Sequence, residues 1–137
     1  AISFSMTKSS KALSPTRSRD KVLQTLYELE LSGEDLKDVL KNHSSEKSNA
    51  FYNDILKGVL DNQENIDEII KNNLDRPIQQ LDVIEKNALR IGLFELMNKE
   101  LDAAIVINES IRMTKKYGSV EGYKLVNAVL DKIIKAG

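Results

Sequence analysis

Residues 82–97 read DVIEKNALRIGLFELM, and the fold class turns on them. Ile84, Ala88, Leu89, Ile91, Leu93, Phe94, Leu96 and Met97 leave almost no polar side on a helix. A helix apolar nearly all round must be enclosed by other helices, so this one belongs at the centre of a bundle. Asp82 and Glu85 have the spacing of a capping box, with aspartate as the cap. Pro77, in the preceding LDRPIQQLD, disfavours helix at Arg76 and sets the central helix off from what comes before. Arg90 interrupts the apolar stretch. Unpaired and buried, its guanidinium would be costly, so it needs a route to solvent or a carboxylate, with Glu85 and Glu109 as candidates.

Working outward, AIVINESIRMTKKYG at 104–118 predicts a helix with Ile107, Ile111 and Thr114 inward and Gly118 at its end. Its β-branched INESI portion is the weakest helical signal in the chain. A last helix over about 119–135 carries Leu125, Val126, Val129, Leu130, Ile133 and Ile134. Upstream, SPTRSRDKVLQTLY at 14–27 starts a helix. Ser14 reads as its N-cap, Pro15 takes the first position, where no intrahelical N–H is lost, and Gly33 stops it after Ser32. Leu36, Val39 and Leu40 mark a short second helix that dissolves in NHSSEKS. A third begins near Ser48 and presents Phe51, Ile55, Val59, Ile66, Ile69 and Ile70, with a break or bend at the polar DNQEN. No strand-period segment competes. The expectation is an all-α protein, a compact bundle of six or seven helices.

The 137 residues make one domain by length, large enough to bury roughly two thirds of its unfolded surface without a metal or disulfide staple. The absence of cysteine removes thiol catalysis, zinc–thiolate sites and disulfides, and suits a reducing cytoplasm. No apolar run approaches the ~20 residues of a membrane span, and AISFSM lacks the charged start of a signal peptide. Met6 reads as a native start, with Ala1–Ser5 an appended remnant. TKSSKALS at 7–14 is small, polar and unpatterned, so residues 1–13 are expected to be a disordered basic arm ahead of a folded domain over 14–137.

Candidate chemistry is sparse. No glycine loop suited to phosphates is present. His43, the single histidine, reads as a surface residue at a frayed helix end. Asp82 with Glu85 is explained by capping, and Asn108–Glu109 has no nucleophile or metal to act with. The sequence points away from an enzyme and implies no cofactor and no metal site. Charge is more informative. Residues 1–21 hold Lys8, Lys11, Arg17, Arg19 and Lys21 against Asp20, a net +4, so with −1 overall the remainder carries −5. Three of these cations crowd the first turns of a helix, where the dipole favours carboxylates at ~0.3–1 kcal/mol each. Two readings stand: a solvated basic tail, or a landing place for a polyanion.

RDKVLQTLYELELS, VIEKNALRIGLFEL, VINESIRMTKKYG and KLVNAVLDKI resemble, in order and spacing, blocks of the NusB-type transcription antitermination factors, over residues 15–135. The resemblance implies an all-helical fold of two small helical subdomains and a cytoplasmic adaptor without catalysis. It implies binding of boxA RNA together with NusE, a small-subunit ribosomal protein, within the antitermination complex of RNA polymerase in ribosomal RNA operons. RNA contacts are then expected at Lys8, Lys11, Arg17, Arg19 and Lys21, where guanidinium groups and the helix N-terminus attract the same phosphates. Further RNA contacts fall on Tyr123, Lys124 and Asn127, and NusE contacts on Tyr27, Leu31 and Glu85. Tyr123 reads equally as a half-buried tyrosine, Tyr27 as the rim of the core and Glu85 as a cap. Pro15 and Thr16 stand where other members have arginines, Leu125 where many have phenylalanine, Asp102 for a proline and Ala128 for a glycine. The resemblance also admits a homodimer. The competing expectation is a helical protein–protein adaptor without direct RNA contact.

Overall fold

The computed structural model describes residues 14–137. Among them the regular structure is entirely helical: α1 Pro15–Ser32, α2 Leu36–Lys41, α3 Ala50–Asp61, α4 Gln63–Asn72, α5 Val83–Asn98, α6 Ala103–Tyr117 and α7 Gly122–Ala136, with 3-10 turns at Ser44–Glu46 and Ile78–Gln80. The chain forms two compact units, Ala1–Lys57 and Gly58–Gly137. Lys8, Lys11 and the rest of the expected arm lie outside the described residues.

In the first unit, Pro15 opens α1 and Gly33 closes it with φ 71°, a left-handed conformation that glycine adopts without a Cβ clash. Val22, Leu23 and Leu26 of α1 are buried, as are Val39, Tyr52, Ile55 and Leu56. Each such burial contributes roughly 1.5–3 kcal/mol. A polar lattice accompanies this core. Asn49 Nδ2 donates to Ser18 Oγ at 2.9 Å and to Glu46 Oε1 at 3.0 Å, while Asn49 Oδ1 caps α3 by accepting from the Tyr52 amide at 3.2 Å. The Thr25 and Tyr52 hydroxyls share a buried 2.6 Å bond. His43 departs from the expected surface position: it is buried, with Nε2 3.0 Å from Glu28 Oε1. The turn at Asn42–His43 that ends α2 places it against α1, where a partly exposed carboxylate receives it.

In the second unit α5 is the central helix, packed by α4, α6 and α7. The core comprises Ile66 and Ile70 of α4, Ile78, Leu81, Leu89, Leu93, and Val126, Val129 and Leu130 of α7. The cap is as expected, with Asp82 Oδ1 accepting from the Glu85 amide at 2.7 Å. The polar DNQEN stretch is a true break at Asn62, whose Nδ2 turns back onto the Gly58 carbonyl at 2.7 Å. The β-branched stretch of α6 is helical because Val106 and Ser110 point into the bundle. There Gly92 makes room: a Cβ on it would lie 2.4 Å from Ser110 Oγ. Arg90 pairs with Asp67 of α4, a carboxylate beyond the candidates Glu85 and Glu109, through Nε and Nη2 at 2.8 Å each. Lys99 ends α5 with φ 58°, an uncommon conformation for a residue with a side chain.

Candidate nucleic-acid interface

The first turn of α1 contains no acidic residue, and Asp20 follows only in the second, so no carboxylate of the helix stands at its positive end. Arg17 is exposed there, its side chain 45% accessible, with Nη1 3.5 Å from Oε2 of the buried Glu46. That separation is loose for a charge-assisted bond. Lys21 lies one turn on, on the same side of α1, and is half-buried. Arg19 has a different setting. Positions two apart do not share a helix face, and Arg19 is 4% exposed with its guanidinium 5.2 Å from the Phe51 ring centre. The three cations that the sequence places together thus divide into an outward pair and an inward arginine stacked on an aromatic ring.

In the second unit, Tyr123, Lys124 and Asn127 occupy the first turns of α7. Lys124 and Asn127 are exposed and Tyr123 is half-buried. Lys124 Nζ reaches Glu121 at 2.6 Å, a pair exposed enough to contribute little. Lys115 Nζ sits 4.5 Å above the Tyr123 ring and Lys116 lies 5.2 Å from that of Tyr117. Sequence reasoning passes over Lys115 and Lys116. The signal is present in MTKKYG, since two lysines in the last turn of α6 suit its negative end.

Tyr27 and Leu31, one turn apart on α1, are 41% and 57% exposed. Glu85, on α5, is half-buried beside the start of α7: its Oε2 accepts from the Ser119 hydroxyl at 3.4 Å, and a Cβ on Gly122 would come within 2.5 Å of it. Burial, then the neighbouring Asp82 carboxylate, push its pKa above the usual value, and the Ser119 hydroxyl only partly offsets this. Within this unit the structure therefore brings Glu85 next to the turn that leads into Tyr123 and Lys124. Among the described residues no cluster of His, Cys, Asp and Glu suits a metal ion, and no helix is long and apolar enough to cross a membrane.

Comparison with known proteins places this architecture. A transcription antitermination protein NusB from Hydrogenovibrio crunogenus is 34% identical over 123 residues, covering 85% of this chain and 76% of the relative. Among solved structures, antitermination factors NusB and NusE in complex with dsRNA include a chain that superposes with TM-score 0.78 at 31% identity, over 89% of this chain and 96% of that one. NusB of T. maritima superposes with TM-score 0.76 at 27% identity, over 89% and 91%. The sequence profile of the NusB family matches residues 16–135, nearly every described residue, and the chain belongs to the NusB family.

Proposed function

We infer that this chain is a transcription antitermination factor that binds RNA together with NusE. The observation that carries the reading is the similarity, over 89% of its length, to a chain in the solved complex of NusB, NusE and dsRNA. The RNA is boxA of nascent transcripts, and the bound pair supports RNA polymerase processivity in ribosomal RNA operons, in the cytoplasm. The chain acts by binding and catalyses nothing.

Arg17 and Lys21, aided by Lys8 and Lys11, meet phosphates at the positive end of α1, where dipole and side-chain charges attract the same anion. Arg19 joins them only by leaving the Phe51 ring; as folded it holds the helix start in place. Lys124 and Asn127 supply polar contacts, and Tyr123 offers a ring for an unpaired base. Tyr27 and Leu31 form an apolar step for NusE, with Glu85 as a hydrogen-bonding partner for it.

The test is a titration of boxA and scrambled RNA, with and without NusE, at several salt concentrations. Specific binding strengthened by NusE, with log K falling by about 0.7 per phosphate neutralised per decade of salt, is the expected result. Tight NusE binding with no gain in RNA affinity would instead favour an adaptor that never touches RNA, the reading to which the exposed Tyr27 and Leu31 give weight. Light scattering on the free protein distinguishes monomer from homodimer.

A further inference from the structure

The first unit contains a cavity of about 460 Å³ between α2, the 3-10 turn and the start of α3. This lies within the ~300–1,000 Å³ typical of small-ligand pockets. Its lining is chiefly apolar and includes Leu40 and Tyr52, with Lys37, Lys41 and Lys47 and with His43, which is held by Glu28. Among the described residues no carboxylate pairs with Lys37 or Lys47. Lys41 meets Asp38 at 3.3 Å, but both side chains are widely exposed, so the pair is weak and its charge remains available. The Lys47 carbonyl is held by Asn53 Nδ2 at 3.0 Å, which fixes the backbone at the rim. Three cations around an apolar hollow, in a chain of net charge −1, match a ligand with a phosphate at one end and a flat apolar body at the other.

The cavity meets α1 through Tyr52, whose hydroxyl bonds Thr25, and His43, whose Nε2 lies 3.0 Å from Glu28, two to three turns beyond Arg17 along the helix. Of the lining residues, Ser44 opens and Lys47 follows the 3-10 turn whose Glu46 lies 3.5 Å from Arg17. We propose that this cavity is a nucleotide subsite: it seats one nucleotide of an RNA that flanks the segment held at Arg17, with phosphate among Lys37, Lys41 and Lys47 and the base against Leu40 and Tyr52. The proposal rests on the RNA-binding reading above. A free nucleoside monophosphate has the same chemistry, and the experiment separates the two sources.

Core boxA RNA and the same RNA lengthened by three nucleotides at each end are titrated against the wild type, Lys37→Gln/Lys47→Gln and Arg17→Ala. Amide NMR shifts of Ser44, Lys47 and Asn53 are followed with each RNA and with AMP. The lengthened RNA should bind the wild type several-fold more tightly, and the double lysine variant should lose that gain while core RNA affinity is unchanged. Its salt slope should be shallower by about 0.7 for each phosphate it no longer neutralises. Cavity amides that respond to lengthened RNA but not to AMP identify an RNA nucleotide; a response to both means that a monophosphate alone suffices. A gain from the flanks that survives in the double variant overturns the proposal, as does a cavity silent to both probes. Failure of the underlying reading looks different: core RNA then binds no variant, or binds Arg17→Ala as well as the wild type.

Discussion

Asp67 and Arg90 meet across α4 and α5 through two parallel bonds, Nε to Oδ1 and Nη2 to Oδ2, both 2.8 Å. Arg90 Nη1 also donates to Asn87 Oδ1 at 3.0 Å. The Arg90 and Asp67 side chains are 9% and 20% exposed, so the pair is largely shielded from water. Removing one partner strands the other. Asp67→Ala should therefore lower stability by about 2–3 kcal/mol, somewhat below the cost for a fully buried pair. Urea unfolding with an unchanged m-value checks this; a decrease under about 1 kcal/mol would mean that Asn87 and solvent suffice for the guanidinium.

Arg17 and Arg19 should separate by phenotype. Arg17→Ala is expected to weaken boxA RNA binding with a melting temperature within a degree or two of wild type. Arg19→Ala removes a buried stem and a cation stacked on Phe51, and should cost about 1–2 kcal/mol of stability. Paired melting curves and RNA titrations read both quantities. Equal effects on RNA binding with equal stability would contradict the division into outward and inward arginines.

Glu85 should show itself in the pH dependence of stability. Its pKa is raised in the folded chain by burial and by Asp82, so folding favours the protonated form. The charged form is thus disfavoured on folding, and stability falls as pH rises from the ordinary glutamate value of 4.5 through the raised one. Glu85→Gln carries no such charge. The variant's advantage over wild type should be absent in acid, open across that window and persist at neutral pH. Parallel melts from pH 3.5 to 7.5 measure it, and a difference independent of pH would sink the assignment.

Lys99 ends α5 at φ 58°, where a Cβ is disfavoured. Lys99→Gly should raise stability by about 0.5–1 kcal/mol, because relief at the left-handed position outweighs the extra freedom of the unfolded chain. Chemical denaturation should register it directly; destabilisation would show that the lysine side chain contributes more than its backbone loses.

These residues also show how far the sequence can be read. Local signals suffice at helix ends: Pro15 and Gly33 bound α1 at Pro15–Ser32, and Asp82 caps α5 as its spacing indicates. Long-range pairing is not legible, because nothing local to Arg90 marks Asp67, 23 residues away on another helix. A frayed helix end suggests exposure for His43, and the turn that sets it against Glu28 has no strong local signature. Arg17 and Arg19 read as one charge cluster, although their spacing already sets them on different faces of the helix. Composition records how much charge is present, whereas helical geometry decides where it faces.

The long separation between Arg17 and Glu46 bears on how the protein tolerates a bound anion. Glu46 also accepts from Ser45 Oγ at 3.1 Å and Asn49 Nδ2 at 3.0 Å. A ribonucleotide phosphate that draws Arg17 outward leaves this carboxylate with two neutral donors, so it is not orphaned. The same arginine can face either anion while the lattice beneath α1 keeps its shape, and capture and release then need no refolding of the helix that presents it.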